Sequence, residues 1–279
     1  MLNLLKIELF KISRKPRSYI GFVAITTIVL LIEMALYVDG NNYMQFFLQQ
    51  LETSFQIEGN LLTGNLVCFI ILQTLIIQMP LLVALVTGDL ISGEAASGTI
   101  RFLLTKPYSR TKILFSKFIA GNIYVAFLLI WLGILALGGG LLIFGDGDHL
   151  VLKSEELVIL RQGDTLWRFM AAFGIAFLSL GVVAAFSLML SCFTDNSIGP
   201  IVSSMAVIIL FTIIGSLELP IFDSIKPFLF TTHMIVWRTM FDNPIDWTLV
   251  SNSLLILVFH ILLFLGISWY HFKTKDINQ

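Results

Sequence analysis

Charge is scarce in this chain. Only 13% of its 279 residues are Asp, Glu, Lys or Arg, about half the share of an ordinary soluble domain. Cysteine is nearly missing: Cys68 and Cys192 both sit in apolar runs, so a disulfide framework is not expected. The formal net charge of -1 supplies no basic face for nucleic acid. No Gly-Lys pair occurs, which excludes a GxxxxGK[ST] phosphate loop. His149, His233, His260 and His271 are scattered, with no His/Cys/Asp group at metal-ligand spacing. No nucleophile–base arrangement is visible. We therefore expect no catalytic site, no metal and no cofactor in this chain.

What is present is apolar sequence. Hydrophobic residues make up 57% of the chain, and they are bunched. A helix needs ~20 apolar residues to cross a bilayer. Six runs qualify: Ser18–Val38, Leu66–Thr87, Phe118–Phe144, Phe169–Phe193, Ile198–Leu217 and Thr248–Phe272. The expected class is an all-α integral membrane protein, one transmembrane domain over 1–279. The first run is not expected to be a cleavable signal, since it exceeds a typical apolar signal region and no small-residue cleavage site follows.

Lys and Arg mark the cytoplasmic side of a membrane protein. Lys6, Lys11, Arg14, Lys15 and Arg17 precede the first run; Arg101, Lys106, Arg110, Lys112 and Lys117 lie between the second and third; Lys273 and Lys275 follow the last. These 12 outnumber the five on the other side. The expectation is a multi-pass protein of the cell (inner) membrane with both termini cytoplasmic.

Outside the runs, Leu2, Leu5, Leu9 and Ile12 fall at helical spacing and predict a helix lying at the membrane surface. Met44, Phe47, Leu48, Leu51 and Phe55 predict a short amphipathic helix over 41–58. Two short apolar runs within 145–167 predict a small hairpin. The stretch 226–241, KPFLFTTHMIVWRTMF, is too apolar for an ordinary loop and too short to span. It predicts two short helices dipping into the outer leaflet before the sixth span.

Between runs two and three, residues 88–117 read GDLISGEAASGTIRFLLTKPYSRTKILFSK. Asp89 or Ser92 is a candidate cap for a first helix, Pro107 ends it, and Ser109 is a natural N-cap for a second. A loop that only joined two spans would need about 2–8 residues. Thirty structured residues predict a projecting hairpin with a docking surface.

The pattern E-x-x-x-G-T-I-x-x-L-L-T-x-P-x-S-R-x-x-I-L-x-x-K, carried by Glu94, Gly98, Thr99, Ile100, Leu103, Leu104, Thr105, Pro107, Ser109, Arg110, Ile113, Leu114 and Lys117, resembles the cytoplasmic loop of type-two ABC transporter permeases. The six-span layout, the leading surface helix and the basic tail FKTKDI (272–277) are similar too. The resemblance implies a membrane-spanning half-transporter, an exporter. It would pair with a second permease subunit, identical or different, and with cytoplasmic ABC ATPase subunits, surrounded by membrane lipids. ATP hydrolysis would then belong to a partner chain. The residues implied in coupling are Glu94, Gly98, Thr99, Arg101, Pro107, Ser109 and Arg110, with Glu94 and the arginines reaching charged or carbonyl groups on the partner.

Within the spans, Glu33 is the one acidic residue well inside an apolar run. An ionisable group there marks function by default, although its place near the outer end leaves snorkelling to water open. Gln73 and Gln78 are candidates to line a central cavity, with Pro80 a kink. Asn122 is read the same way. Interhelical hydrogen bonding is the plain alternative for all three amides. A different class of function is a self-sufficient secondary transporter with Glu33 as proton carrier, but the two related halves of that architecture are not found.

Overall fold

The computed structural model describes residues 1–48, 62–75, 77–105, 107–152 and 157–275. It is built of helices, with one small hairpin. In chain order the helices are α1 (Leu2–Arg14), α2 (Pro16–Leu48), α3 (Gly64–Thr74), α4 (Gln78–Thr87), α5 (Ser92–Ala96), α6 (Thr99–Leu104), α7 (Arg110–Gly133), α8 (Gly140–Phe144), α9 (Gln162–Phe193), α10 (Ile198–Ser216), α11 (Pro220–Asp223), α12 (Phe230–Met234) and α13 (Trp247–Thr274). A π-helical segment, Ile134–Gly139, joins α7 to α8, and two 3₁₀ segments, Lys226–Phe228 and Ile235–Phe241, flank α12. The hairpin pairs β1 (His149–Leu152) antiparallel to β2 (Leu157–Leu160), with His149 opposite Leu160 and Leu152 opposite Leu157.

Five helical stretches are long and apolar enough to cross a membrane: Pro16–Gly40, Arg110–Phe144, Gly163–Phe193, Ile198–Ser216 and Trp247–Thr274. The run expected as one second span is instead two helices, α3 and α4, which meet at 56°. Pro80, the third residue of α4, explains the break. Proline has no N–H for the helical ladder, and its ring crowds the carbonyl four residues back. A sixth crossing exists only if this bent pair counts as one.

The helix ends follow local chemistry. Pro16 opens α2 at the position where its missing N–H costs nothing. Thr63 caps α3 by accepting from Leu66 N at 3.4 Å, and Asp246 caps α13 by accepting from Leu249 N at 2.9 Å. α2 runs without interruption to Leu48, so the helix expected over 41–58 begins as a continuation of the first span. Residues 49–58 lie outside the described residues, as do residues 153–156, Lys106 and the end of the basic tail.

α9 is the central helix, with 61% of its most apolar window buried. It packs against α4, α7, α10, α13 and the 3₁₀ segment before α13. Arg168 of α9 pins that segment by donating Nη1 to the carbonyls of Met240 and Asp242, each at 2.7 Å. The stretch 226–241, expected as two short helices, is a 3₁₀ segment, α12 and a second 3₁₀ segment. Its residues Phe230, Trp237, Met240 and Phe241 are buried.

Candidate functional site

Residues 88–117, expected as a projecting hairpin, hold α5, α6 and the start of α7, and Glu94 and Lys117 bring the two ends of the segment together at 2.7 Å. Its first arm is not one helix but two, α5 and α6, divided at Gly98. Gly98 has φ +69°, a left-handed conformation that costs other residues ~1–2 kcal/mol. Neither Asp89 nor Ser92 caps α5. The open N–H groups of Ile91 and Ser92 donate instead to Ser191 Oγ of α9, at 3.1 and 2.8 Å. Ser109 does cap α7, accepting from Lys112 N at 3.3 Å.

The base of the hairpin holds a quartet of alternating charge, three of its members buried and Lys11 half-exposed. Lys117 of α7 is fully buried. Its Nζ lies 2.8 Å from Glu8 Oε2 of α1 and 2.7 Å from Glu94 Oε1 of α5. Lys11 of α1 closes the ring, at 2.9 Å from Glu8 Oε1 and 2.7 Å from Glu94 Oε1. The formal charges sum to zero, which is what allows ions to persist away from water. Burial alone would raise the Glu94 carboxyl; the Lys117 charge and the hydrogen bonds from Lys11 and Lys117 outweigh it and hold it below its ordinary value. Burial alone would lower the Lys11 ammonium; the Glu94 hydrogen bond and the Glu8 and Glu94 charges hold it above. Glu94 Oε2 is buried with no hydrogen-bond partner.

A second ionic group lies beside the first. Asp89 Oδ2 pairs with Lys15 Nζ at 2.6 Å, and its Oδ1 with Arg17 Nη1 at 2.9 Å and with the Ser197 hydroxyl that opens α10. Arg17 Nη1 also donates to Ser197 Oγ at 2.7 Å. A cavity of about 520 Å³ lies between the two groups, lined by Lys11, Lys15, Arg17, Asp89, Glu94 and Thr99 among others. α1 is thus strapped across the hairpin base. The face it buries is Leu4, Glu8 and Ile12, not the full Leu2–Leu5–Leu9–Ile12 stripe; Leu2 is 75% exposed.

These contacts change the parts assigned to single residues. Glu94 is directed inward, to two lysines of its own chain, rather than outward. Arg110 is also engaged within the chain: its Nη1 donates to the carbonyls of Phe272, Lys273 and Lys275 at 3.2, 3.0 and 2.7 Å. These are the open carbonyls at the C-terminus of α13, where a cation is favourable. Lys275 in turn reaches Asp195 Oδ1 at 2.7 Å. Thr99 Oγ1 donates to the Glu94 carbonyl at 3.3 Å. The uncovered part of the hairpin is its tip, where Phe102 is 75% exposed and Thr105, Pro107 and Ser109 are exposed. The Arg101 side chain lies outside the described residues.

The four polar residues of the spans have separate neighbours. Glu33 is only 4% exposed, with its Oε1 buried. It faces Gly139 of the π segment. Asn122 donates to the Phe118 carbonyl at 3.0 Å within its own helix and packs on Gly181 of α9. Gln73 is half-buried, and Gln78 Oε1 is buried with no partner. The cavity beside them is lined by Leu72, Leu75, Met79, Pro80, Leu129 and Leu132 among others, not by either glutamine.

Sequence reasoning did not bring Glu8, Lys11 and Lys117 together around Glu94, nor Lys15 and Arg17 around Asp89. Two signals pointed there. Glu8 is the one acid among the first 17 residues, and Lys117 lies seven residues, two helical turns, after Arg110.

Comparison with known proteins adds kinship. "Uncharacterized protein YhcI" of Bacillus subtilis (strain 168) is 25% identical over 199 residues, covering 69% of this chain and 63% of that protein. The match therefore spans less than two thirds of the relative's length. The family model described as "Protein of unknown function (DUF2705)" matches residues 19–278, and the chain belongs to that family.

Proposed function

We propose that this chain is the membrane-spanning permease subunit of an ATP-driven ABC transporter, an exporter, with residues 88–117 as its coupling element. The observation that carries the reading is the construction of that hairpin. Its base is locked to α1, α7 and α9 by buried ions and hydroxyls, while its tip presents an uncovered Phe102. Such a part transmits force: a push on the tip moves α1 and α7 with it rather than bending a soft loop. The pattern around Glu94, Gly98, Thr99, Pro107, Ser109 and Arg110, with its resemblance to type-two permeases, supports the same reading.

On this reading α3 and α4 together form one of six spans, α1 lies at the membrane surface, and 226–241 enters the outer leaflet. Segment 88–117 faces the cytoplasm, where ABC ATPase subunits dock. A second permease subunit, identical or different, completes the pore. Glu94 acts as the anchor of the lever. Gly98 and Thr99 shape its bend, Arg110 ties it to the end of α13, and Arg101, Pro107 and Ser109 belong to its outer part.

One observation favours another class. Glu33 is an enclosed carboxyl in an apolar span, as a secondary transporter driven by protons would need. Co-purification with a candidate ATPase, followed by transport in vesicles, separates the two. Transport that follows ATP and ignores the proton gradient supports coupling; the reverse rejects it.

A further inference from the structure

Glu33 sits where α2 crosses the chain's one run of consecutive glycines. The carboxyl lies against Gly139, the last residue of the π segment Ile134–Gly139, and a methyl group at Gly139 would come within 2.8 Å of Glu33 Oε1. An alanine there would push the end of the Glu33 side chain aside. Glu33 Oε1 is buried and has no hydrogen-bond partner. Among the described residues no ion pair involves Glu33.

Among the described residues the surroundings offer no counter-charge. α2 packs against α1, α3, α4, α7, α8 and the π segment. α4, α8 and the π segment carry no titratable side chain. The titratable side chain of α3 is Cys68. The charges of α1 and of the start of α7 lie at the other end of α2: Tyr124 of α7 bonds the Ser18 carbonyl, and Ser18 is 15 residues from Glu33, about 22 Å along a helix. On α2 itself Asp39 accepts from Asn42 at 2.6 Å. A carboxylate oxygen buried without a partner is costly in its charged form, so such a group is neutralised or bound. π-helical turns recur at functional sites.

We propose that Glu33 is a proton-binding site, held as the neutral acid against the glycine π-turn in this conformation and able to exchange its proton only when α2 parts from that turn. The proposal stands whether or not an ATPase drives the chain.

The test uses the full chain in detergent and the apolar reagent dicyclohexylcarbodiimide, which modifies carboxylic acids. The acid proton passes to one carbodiimide nitrogen as the carboxyl oxygen bonds the central carbon. Acyl migration then leaves a stable N-acylurea with no leaving group. An exposed glutamate is ionised about 500 to 1 at pH 7. Glu33 should therefore label at least about tenfold faster at pH 7 than exposed Glu218, a water-soluble carbodiimide should not label it, and Glu33→Gln should remove the adduct. Infrared difference spectra between wild type and Glu33→Gln should show a carboxylic-acid carbonyl band at pH 7. Glu33→Asp should retain that band, which keeps the test valid if the glutamine variant misfolds. Equal labelling of Glu33 and Glu218, or a carboxylate band alone, overturns the proposal. Unchanged labelling in Gly139→Ala overturns its placement at the π-turn.

Discussion

Lys117→Met is the sharpest perturbation of the hairpin base. Methionine keeps most of the volume of the buried stem and removes one charge. Glu8 and Glu94, now 2.8 and 2.7 Å from an absent ammonium, are left with Lys11 alone, and the quartet moves from neutral to one net negative charge. Breaking a buried ion pair by removing one partner costs ~3–5 kcal/mol, which is about two to nearly four powers of ten in the opening equilibrium of α1. Glu8→Gln should cost a similar amount by leaving Lys117 short of a carboxylate. The double variant Glu8→Gln/Lys117→Met retains the neutral Lys11–Glu94 pair. It should therefore fall short of the sum of the single variants by up to ~3 kcal/mol. A thiol at Leu4, which is 1% exposed, reports the opening directly. Placed in a chain with Cys68 and Cys192 replaced, Leu4→Cys should be modified about a hundredfold or more faster in either single variant, with much of that gain lost in the double. Single variants that label at the wild-type rate, or effects that simply add, would refute the quartet as the lock.

The remaining predictions concern the same region. Glu94 is held below its ordinary value, so its contribution to the lock is present above about pH 4.3 and is lost as pH falls through the lower folded value. Lys11 is held above its ordinary value, so its contribution is present below about pH 10.4 and is lost as pH rises through the higher one. Spin labels at Ser13 and Thr105 should report a constant distance between about pH 5 and 10 and a longer one at low pH; separation that begins near neutrality contradicts this assignment. Gly98→Ala meets open space, so its cost is backbone strain alone, ~1–2 kcal/mol. Tryptic cleavage of the hairpin should rise about 5–30-fold, and an unchanged rate would reject the strained turn.

The class of the protein was legible because it rests on long-range composition. Apolar runs such as 198–217 and 248–272 exceed what any local packing detail can overturn, and both are helices. Ser109 was legible as a cap because capping is a matter of three residues. Asp89 was not, because its carboxylate is drawn away by Lys15 and Arg17, 74 and 72 residues earlier in the chain. The same competition reversed the reading of Glu94. An acid in a basic loop looks outward-facing until α1 folds over it and brings Lys11. Pro80 announced a bend, but only the structure gave its size, 56°. Glu33 was visible as an anomaly; its partner, a glycine 106 residues later, carries no side chain to advertise the contact.

The central claim is that the exposed tip of segment 88–117 receives work from an ATPase. The most direct measurement is ATP-driven transport in vesicles containing this chain and a candidate ATPase, wild type against Phe102→Ala. Phe102 is exposed and makes no part of the quartet, so its removal should leave folding and the Leu4→Cys labelling rate unchanged. The account predicts that the variant loses both ATPase capture and transport, since truncating a buried anchor of an interface costs ~2 kcal/mol or more. ATPase capture and transport equal to wild type would contradict it.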